Sequence, residues 1–414
     1  CTLGPDYERP GPPIPPSWPV GDAYLRQTEA ALPAVGYRDI FRDPRLQRIV
    51  ERALANNQDL ALAAANIGAA REQFRAQRGA FLPNIVASAS ATETDRGNGA
   101  GTGVGRAASG RQLFLNTQLG ISNYEIDFFG RITSLTEAAR NRFFAQEAAA
   151  RSVRLLLVGD IASAWFTYAA DRDLLEIAER TVRNAEQSVR LTRARLDGGI
   201  APRTDLRQAE QVLEQARADA AQARTALAQD VNLLQLLVGA PVEATLLPSS
   251  LADVEDDVAE LPAGLDSTIL LRRPDVVQAE YQLRAASAQI GAARAALFPR
   301  FSLTSALGFA SSTLSSLFSG DAFNWSIAPG VGYSIFQGGT ASANARASEF
   351  QRDAALATYR QTIQTAFREV SDALARRGTI DEELRAQRAN RTASDDNYRL
   401  SEARFRGGID PFLQ

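Results

Sequence analysis

Arg195-Leu196-Asp197-Gly198-Gly199-Ile200-Ala201-Pro202 closes a helical run that begins near Thr133. Inside that run large apolar residues recur at one heptad position: Ile161, Tyr168, Leu175, Val182, Val189 and Leu196. Three positions later stand Ala164, Ala178 and Ala185, with Asp171 and Thr192 as exceptions. A sustained seven-residue repeat specifies an α-helix packed along a left-handed supercoil. Alanine in the second seam position lets neighbouring backbones come close. At a ~1.5 Å rise per residue the run is roughly 100 Å long, far beyond an ordinary globular helix.

Downstream of the turn, Leu206, Leu213, Ala220, Leu227 and Leu234 repeat at seven, with Ala209, Ala216 and Ala223 between them. The long helix therefore folds back on itself as a helical hairpin, which Gly239 and Pro241 end. The turn has a near copy, Ala403-Arg404-Phe405-Arg406-Gly407-Gly408-Ile409-Asp410-Pro411. It closes a second heptad run through Leu356, Ile363, Val370, Leu384, Tyr398 and Phe405. The second copy stops before a return helix, which is expected to follow residue 414.

Upstream of each long helix the same order recurs. A helix from the Asp43-Pro44 cap carries Leu46, Ala53, Leu60, Ile67, Phe74 and Phe81 and stops before Pro83. Its counterpart carries Val276, Leu283, Ile290 and Leu297 and stops at Pro299. Each is followed by period-two alternation, the mark of a half-buried strand. In the first hairpin Ile85, Ala87, Ala89 and Ala91 share one side of the first strand, Leu113, Leu115, Leu119 and Ile121 share one side of the second, and near Asn123 the phase flips to Tyr124, Ile126 and Phe128. In the second, Phe301, Leu303, Leu307 and Phe309 are followed by Trp325, Ile327, Val331, Tyr333 and Ile335. The fold class is α+β, with two repeats of helix, β-hairpin and very long helix.

The expected segments are as follows. Residues 1–43 are a Pro-rich extended tether, 44–82 the first helix, 83–129 the first hairpin and 130–238 the long helical hairpin. Residues 239–266 are an acidic connector, 267–298 the second helix, 299–337 the second hairpin, and 338–414 the second long helix with its turn.

Composition narrows the chemistry. The chain has 45 basic and 48 acidic residues, a net charge of −3, no His and no Met. Every basic residue is Arg, and the only Cys is Cys1. Without His or Lys most nucleophile–base pairs and transition-metal sites cannot be built, so neither an enzyme nor a cofactor is expected. The near balance of charge gives no support for a nucleic-acid partner. No wholly aliphatic run nears the ~20 residues of a transmembrane helix, so a membrane would be crossed by strands. Cys1 before small and Pro-rich sequence fits a processed bacterial lipoprotein, with Cys1 carrying the lipid (palmitate included).

Four strands cannot close a membrane barrel, and an open edge in lipid would leave backbone groups unpaired. Copies must share the barrel: a dimer supplies eight strands, a trimer twelve, and the larger ring leaves room for a lumen. The competing reading is a coiled-coil lipoprotein without a pore.

Three stretches resemble a known family. They are Cys1-Thr2-Leu3-Gly4-Pro5-Asp6-Tyr7-Glu8-Arg9-Pro10, then Leu270-Leu271-Arg272-Arg273-Pro274-Asp275-Val276 running into Gln289-Ile290-Gly291 and on to Phe298-Pro299, and Tyr124-Glu125-Ile126-Asp127-Phe128-Phe129-Gly130-Arg131. They are similar to outer-membrane factor (TolC/OprM-type) lipoproteins of tripartite resistance–nodulation–division efflux systems, and the likeness covers essentially the whole chain. The resemblance implies a homotrimer with a twelve-stranded outer-membrane barrel and a periplasmic coiled-coil tunnel. It also implies a periplasmic adaptor (membrane fusion protein) and an inner-membrane pump as partners. The function implied is a passive exit duct for drugs or other small toxicants, lipid-anchored in the bacterial outer membrane, with a type I protein-secretion duct as the alternative.

A duct needs a gate where it narrows, and the turns carry charged groups that can interlock helices: Arg203 and Asp205 at the first, Arg404, Arg406 and Asp410 at the second. Asp205 and Asp410 equally suit helix capping. The resemblance implies a tethering pair at Thr204-Asp205 and an aromatic tether at Phe405, which lacks the family's hydroxyl. The family's basic tether aligns near Asp410, so the pairing must differ in detail. The docking turns for an adaptor are Gly198-Gly199-Ile200 and Gly407-Gly408-Ile409.

Overall fold

The structure is a computed structural model that describes residues 2–19, 36–96, 110–259 and 266–407, the side chains of residues 96, 110, 405 and 406 excepted. Its chain divides into two units, one of residues 1–11, 67–147 and 278–360, the other of residues 12–66, 148–277 and 361–414.

In the first unit β1 (Ile85–Arg96), β2 (Gly110–Ile126), β3 (Arg300–Ser311) and β4 (Phe323–Gly332) form one antiparallel sheet in the order β1-β2-β3-β4. The two hairpins are thus joined through β2 and β3 rather than standing apart. Ile85 pairs with Ile121 and Arg96 with Gly110. Between β2 and β3 the register shifts after Ile121, and pairing resumes at Tyr124 with Leu303. That bulge sits where the alternation changes phase: Asn123 takes φ 53°, a left-handed conformation that Asn tolerates better than most residues. One extra residue thereby keeps Tyr124 and Ile126 on the face of Leu119 and Ile121. The second hairpin is shorter than the alternation suggests, because β4 ends at Gly332 and leaves Tyr333 and Ile335 outside the strand.

The second unit is built around Trp165, which is fully buried with Leu46, Ile49, Val50, Ile161, Leu234 and Val238. The Trp165 indole donates to the Leu246 carbonyl at 3.0 Å. Its helices are α2 (Pro44–Asn56), parts of α3 (Gln58–Gly79) and α4 (Arg131–Asp197), α5 (Arg203–Val238) and part of α7 (Thr340–Arg406).

Several expectations are corrected. Residues 44–82 are two helices, not one, because Asn57 breaks the heptad run. Its Oδ1 accepts from the Asp59 and Leu60 amides at 2.9 and 3.0 Å, while its Nδ2 donates to the Leu237 carbonyl at 2.8 Å. A side chain that caps a new helix competes with continuation of the old one. The connector 239–266 is not merely a polar link: short 3₁₀ turns at Ala244–Leu246 and Ala252–Val254 place Leu246 and Val254 in the core. The segment from residue 267 opens as a 3₁₀ turn, Ser267–Arg272, and helix α6 (Pro274–Ala295) begins only at its proline. The tether contains a short helix, α1 (Tyr37–Ile40), and buries Trp18 in a stack with Phe367. One described helix, α4, is by length and composition long and apolar enough to cross a membrane. Trp165 and Ile161 from that helix lie instead in the core just described.

Candidate functional site

The sheet of the first unit has two unlike faces. One carries Ile85, Ala87, Leu115, Leu119, Ile121, Leu303, Leu307, Phe309, Trp325, Ile327 and Val331, as the pairing of β1 to β4 aligns them. The other carries Ser88, Ser90, Asn116, Gln118, Thr304, Ala306, Gly308, Asn324 and Ser326, with Val86 and Phe114 as its apolar exceptions. Apolar side chains on the first face are left exposed, Trp325 and Ile327 among them. An apolar face opposite a small polar one is the signature of a wall between lipid and water. Gly308 is required by close approach, since a Cβ there would lie 2.1 Å from the Thr117 carbonyl oxygen.

Sheet passes into helix at two junctions. At the first, Arg131 donates to both oxygens of Glu125, at 2.8 and 2.7 Å. Asp127 caps α4 by accepting from the Ile132 and Thr133 amides at 3.0 and 2.8 Å and from the Thr133 hydroxyl at 2.7 Å. Burial alone would push the Asp127 carboxyl up, but these donors hold it below the usual carboxylate range. Phe129 stacks on Phe298 at 4.8 Å. At the second junction Tyr333 to Phe336 stand open beside a cleft of about 940 Å³ lined by Arg300, Phe301 and Asn344. Ile335 is 93% and Phe336 88% exposed.

Two of the motif stretches meet in a clasp. Glu280, buried on α6, accepts from Arg9 Nε and Nη2 at 2.9 and 2.7 Å, from the Tyr7 hydroxyl at 3.3 Å and from Arg284 at 2.7 Å. Burial works against the Glu280 charge, yet the two guanidinium groups keep its carboxyl below the usual range. Burial and the Glu280 charge push the Tyr7 hydroxyl up to about 12. Sequence reasoning passed over Glu280, because it falls between heptad positions and only its acidity within an apolar helix marked it.

In the second unit α4 ends in a Schellman turn. The Ile200 amide donates to the Arg195 carbonyl at 3.0 Å and the Gly199 amide to Leu196 at 2.9 Å, with Gly199 at φ 75°. Ile200 is 71% exposed and so lacks the apolar partner that usually accompanies the motif. Arg203, Thr204 and Asp205 form the first turn of α5. The Asp205 amide donates to Pro202 at 3.2 Å, and the Thr204 hydroxyl lies 3.5 Å from Asp205 Oδ1. Among the described residues neither Arg203 nor Asp205 forms an ion pair within the chain. The bracing of the turn comes from residues that periodicity did not single out: Glu210 accepts from Arg193 at 3.0 Å and Arg207 at 2.5 Å, which holds its carboxyl below the usual range.

Further along the same hairpin, Asp171 interrupts the alanine seam opposite Asp230. Burial and the neighbouring Asp171 push the Asp230 carboxyl up to about 6, and its Oδ2 is buried without a partner. At the second turn Arg404 lies exposed in the last turn of α7, and the Gly407 amide donates to Ala403 at 2.9 Å. The side chains of Phe405 and Arg406, and all of Cys1, Gly408, Ile409 and Asp410, lie outside the described residues.

Comparison with known proteins agrees with this geometry. The sequence model described as "Outer membrane efflux protein" matches residues 49–240 and 265–414. The probable efflux pump outer membrane protein TtgC of Pseudomonas putida is 42% identical over 415 residues, covering 100% of this chain and 85% of that one. A crystal structure of a membrane protein from Pseudomonas aeruginosa superposes with a TM-score of 0.89 at 36% identity, covering 100% and 92% of the two chains. The open state of the Neisseria gonorrhoeae MtrE outer membrane channel gives 0.83 at 32% identity, with 99% and 89% covered. The chain belongs to the outer membrane efflux protein family and acts in the bacterial outer membrane as an efflux exit channel.

Proposed function

We propose that three copies of the chain close a twelve-stranded barrel in the outer membrane and continue it into the periplasm as a helical tunnel. The observation that carries this reading is the four-stranded sheet, apolar on one face and small and polar on the other, with β1 and β4 as unpaired edges. An unpaired edge in lipid costs several kcal/mol per backbone group, and closure among copies removes it. The duct is passive and receives small toxicants from a periplasmic adaptor and an inner-membrane resistance–nodulation–division pump.

The gate lies at the helical turns, where Arg203, Thr204 and Asp205 of one copy meet Arg404, Phe405, Arg406 and Asp410. Support comes from the first turn itself, whose Arg203 and Asp205 form no ion pair within the chain among the described residues. The exposed Gly198-Gly199-Ile200 turn and the Gly407-Gly408-Ile409 stretch are the surfaces an adaptor abuts. In planar bilayers the full-length protein is expected to show a small conductance that rises several-fold with Asp205→Ala. Absence of conductance from both proteins overturns the duct, and an unchanged conductance overturns the gate.

A further inference from the structure

The β3–β4 connection, Ser312 to Ala322, presents large apolar side chains beside its polar ones. Part of its hydroxyl set is turned inward, onto the segment itself. The Ser316 hydroxyl lies 2.6 Å from those of both Ser311 and Thr313, and the Ser319 hydroxyl donates to the Ser316 carbonyl at 2.8 Å. Two 3₁₀ turns, Leu314–Ser316 and Gly320–Ala322, fold it tightly, with Leu317 buried at 5% exposure. Ser312, Thr313, Ser315, Ser319 and Asp321 are exposed, and among them two large apolar side chains also stand outside, Leu314 at 71% and Phe318 at 72% exposure. Asp321 is the single charged residue in the segment.

The side to which the loop folds is fixed by its aromatic contacts. Phe318 meets Phe309 edge to face at 5.7 Å, and Phe309 meets Phe323 at 5.7 Å in the same manner. Phe309 and Phe323 are directly paired and belong to the apolar face with Leu307, Trp325 and Ile327. The polar face at this level, Gly308 with Asn324 and Ala306 with Ser326, is on the other side of the sheet. Phe318 therefore extends the apolar face beyond the end of the strands. Aromatic rings at the rim of a membrane strand settle at the boundary between acyl chains and headgroups.

We propose that the Leu314–Phe318 segment is an interfacial anchor that inserts into the acyl-chain boundary of the outer leaflet, contacting lipid rather than covering the pore. The proposal rests on the barrel reading, and its partner is the membrane lipid itself, chosen because the patch is continuous with the apolar face of the sheet.

The test is collisional accessibility of nitroxide labels on Leu314→Cys and Phe318→Cys, made in the full-length assembled protein in phospholipid vesicles. Ile327→Cys serves as the apolar-face reference and Asn324→Cys as the polar-face reference, and signal from Cys1 is subtracted with the unsubstituted chain. Labels at 314 and 318 are expected to match 327, with an oxygen-to-nickel-chelate accessibility ratio several-fold above that at 324. A ratio matching 324 overturns the proposal, as does shielding from both reagents, which would place another protein surface there. If 327 itself proves water-accessible, the barrel reading fails and the anchor falls with it. Should a variant not assemble, a diazirine-bearing phospholipid crosslinked to the unsubstituted protein gives the second reading. Label on Leu314 to Phe318 is expected, and label confined to the strands overturns the anchor.

Discussion

The two places where sheet becomes helix occupy equivalent positions in the repeat, yet they are finished differently. From β2 into α4 the charged side chains find their partners within the chain. Glu125 holds Arg131, Asp127 caps the helix and Phe129 lies on Phe298. From β4 into α7 there is no acidic cap: Thr340 turns back on the Gln337 carbonyl at 3.1 and 2.8 Å through its amide and hydroxyl, and Ile335 and Phe336 are bare. The first junction lies at an interior strand, whereas the second follows the edge strand β4. Internal repetition sets the order of the elements, while position in the sheet decides whether a junction closes on itself or waits for a neighbour.

The comparison can be broken most severely at the open junction. Ile335→Asp combined with Phe336→Asp is expected to abolish trimer formation, read by native mass spectrometry, while circular dichroism keeps its helix content. Retention of the trimer would mean that these side chains meet lipid or solvent instead of another copy.

At the closed junction the effect is thermodynamic. Asp127→Ala removes a helix cap and should destabilise the protein by about 1–2 kcal/mol in denaturant titration, with oligomeric state preserved. Because the folded-state pKa of Asp127 is depressed, its contribution is present above the usual carboxylate range and is lost as pH falls through the lowered value.

The helical hairpin supplies the opposite pH sign. Asp230 has its pKa raised to about 6, so its contribution is full below the unfolded value and is lost as pH climbs through about 6. Asp171→Asn should flatten that dependence and recover about 1 kcal/mol at neutral pH, after discounting for solvent screening, as followed by thermal unfolding at pH 5 and pH 8. A pH dependence equal in both proteins would show that Asp171 is not the group acting on Asp230.

The most local effect is at the turn. Gly199→Ala should cost about 1–2 kcal/mol, because a side chain is introduced at φ 75°, and the open space around it offers no compensating contact. Hydrogen exchange confined to the ends of α4 and α5 would register the change without loss of assembly.

Legibility in the sequence followed periodicity. The strand faces, the phase change at Asn123 and the Gly198-Gly199 turn were all readable, because each is set by residues within a few positions of one another. The break at Asn57 was not, since Ala53 and Leu60 keep the heptad in step across it and only the carbonyl of Leu237 reveals why the side chain is held there. The Glu280 clasp was equally hidden. Its partner Arg9 is 271 positions away, and no local rule joins them.

The sequence by itself determined that the chain would be two turns of one theme, strands with a dry and a wet face leading into helices too long for a globule. Hydrophobic period and glycine placement are local properties that survive without a fold. Tertiary structure alone decided that the four strands make one sheet, that Asp127 and Glu280 are satisfied inside the chain while Ile335 and Phe336 are not, and that Phe318 lies over the apolar face. Those outcomes depend on which distant groups meet as buried charges find partners and rings find neighbours, and spacing along the chain does not encode it.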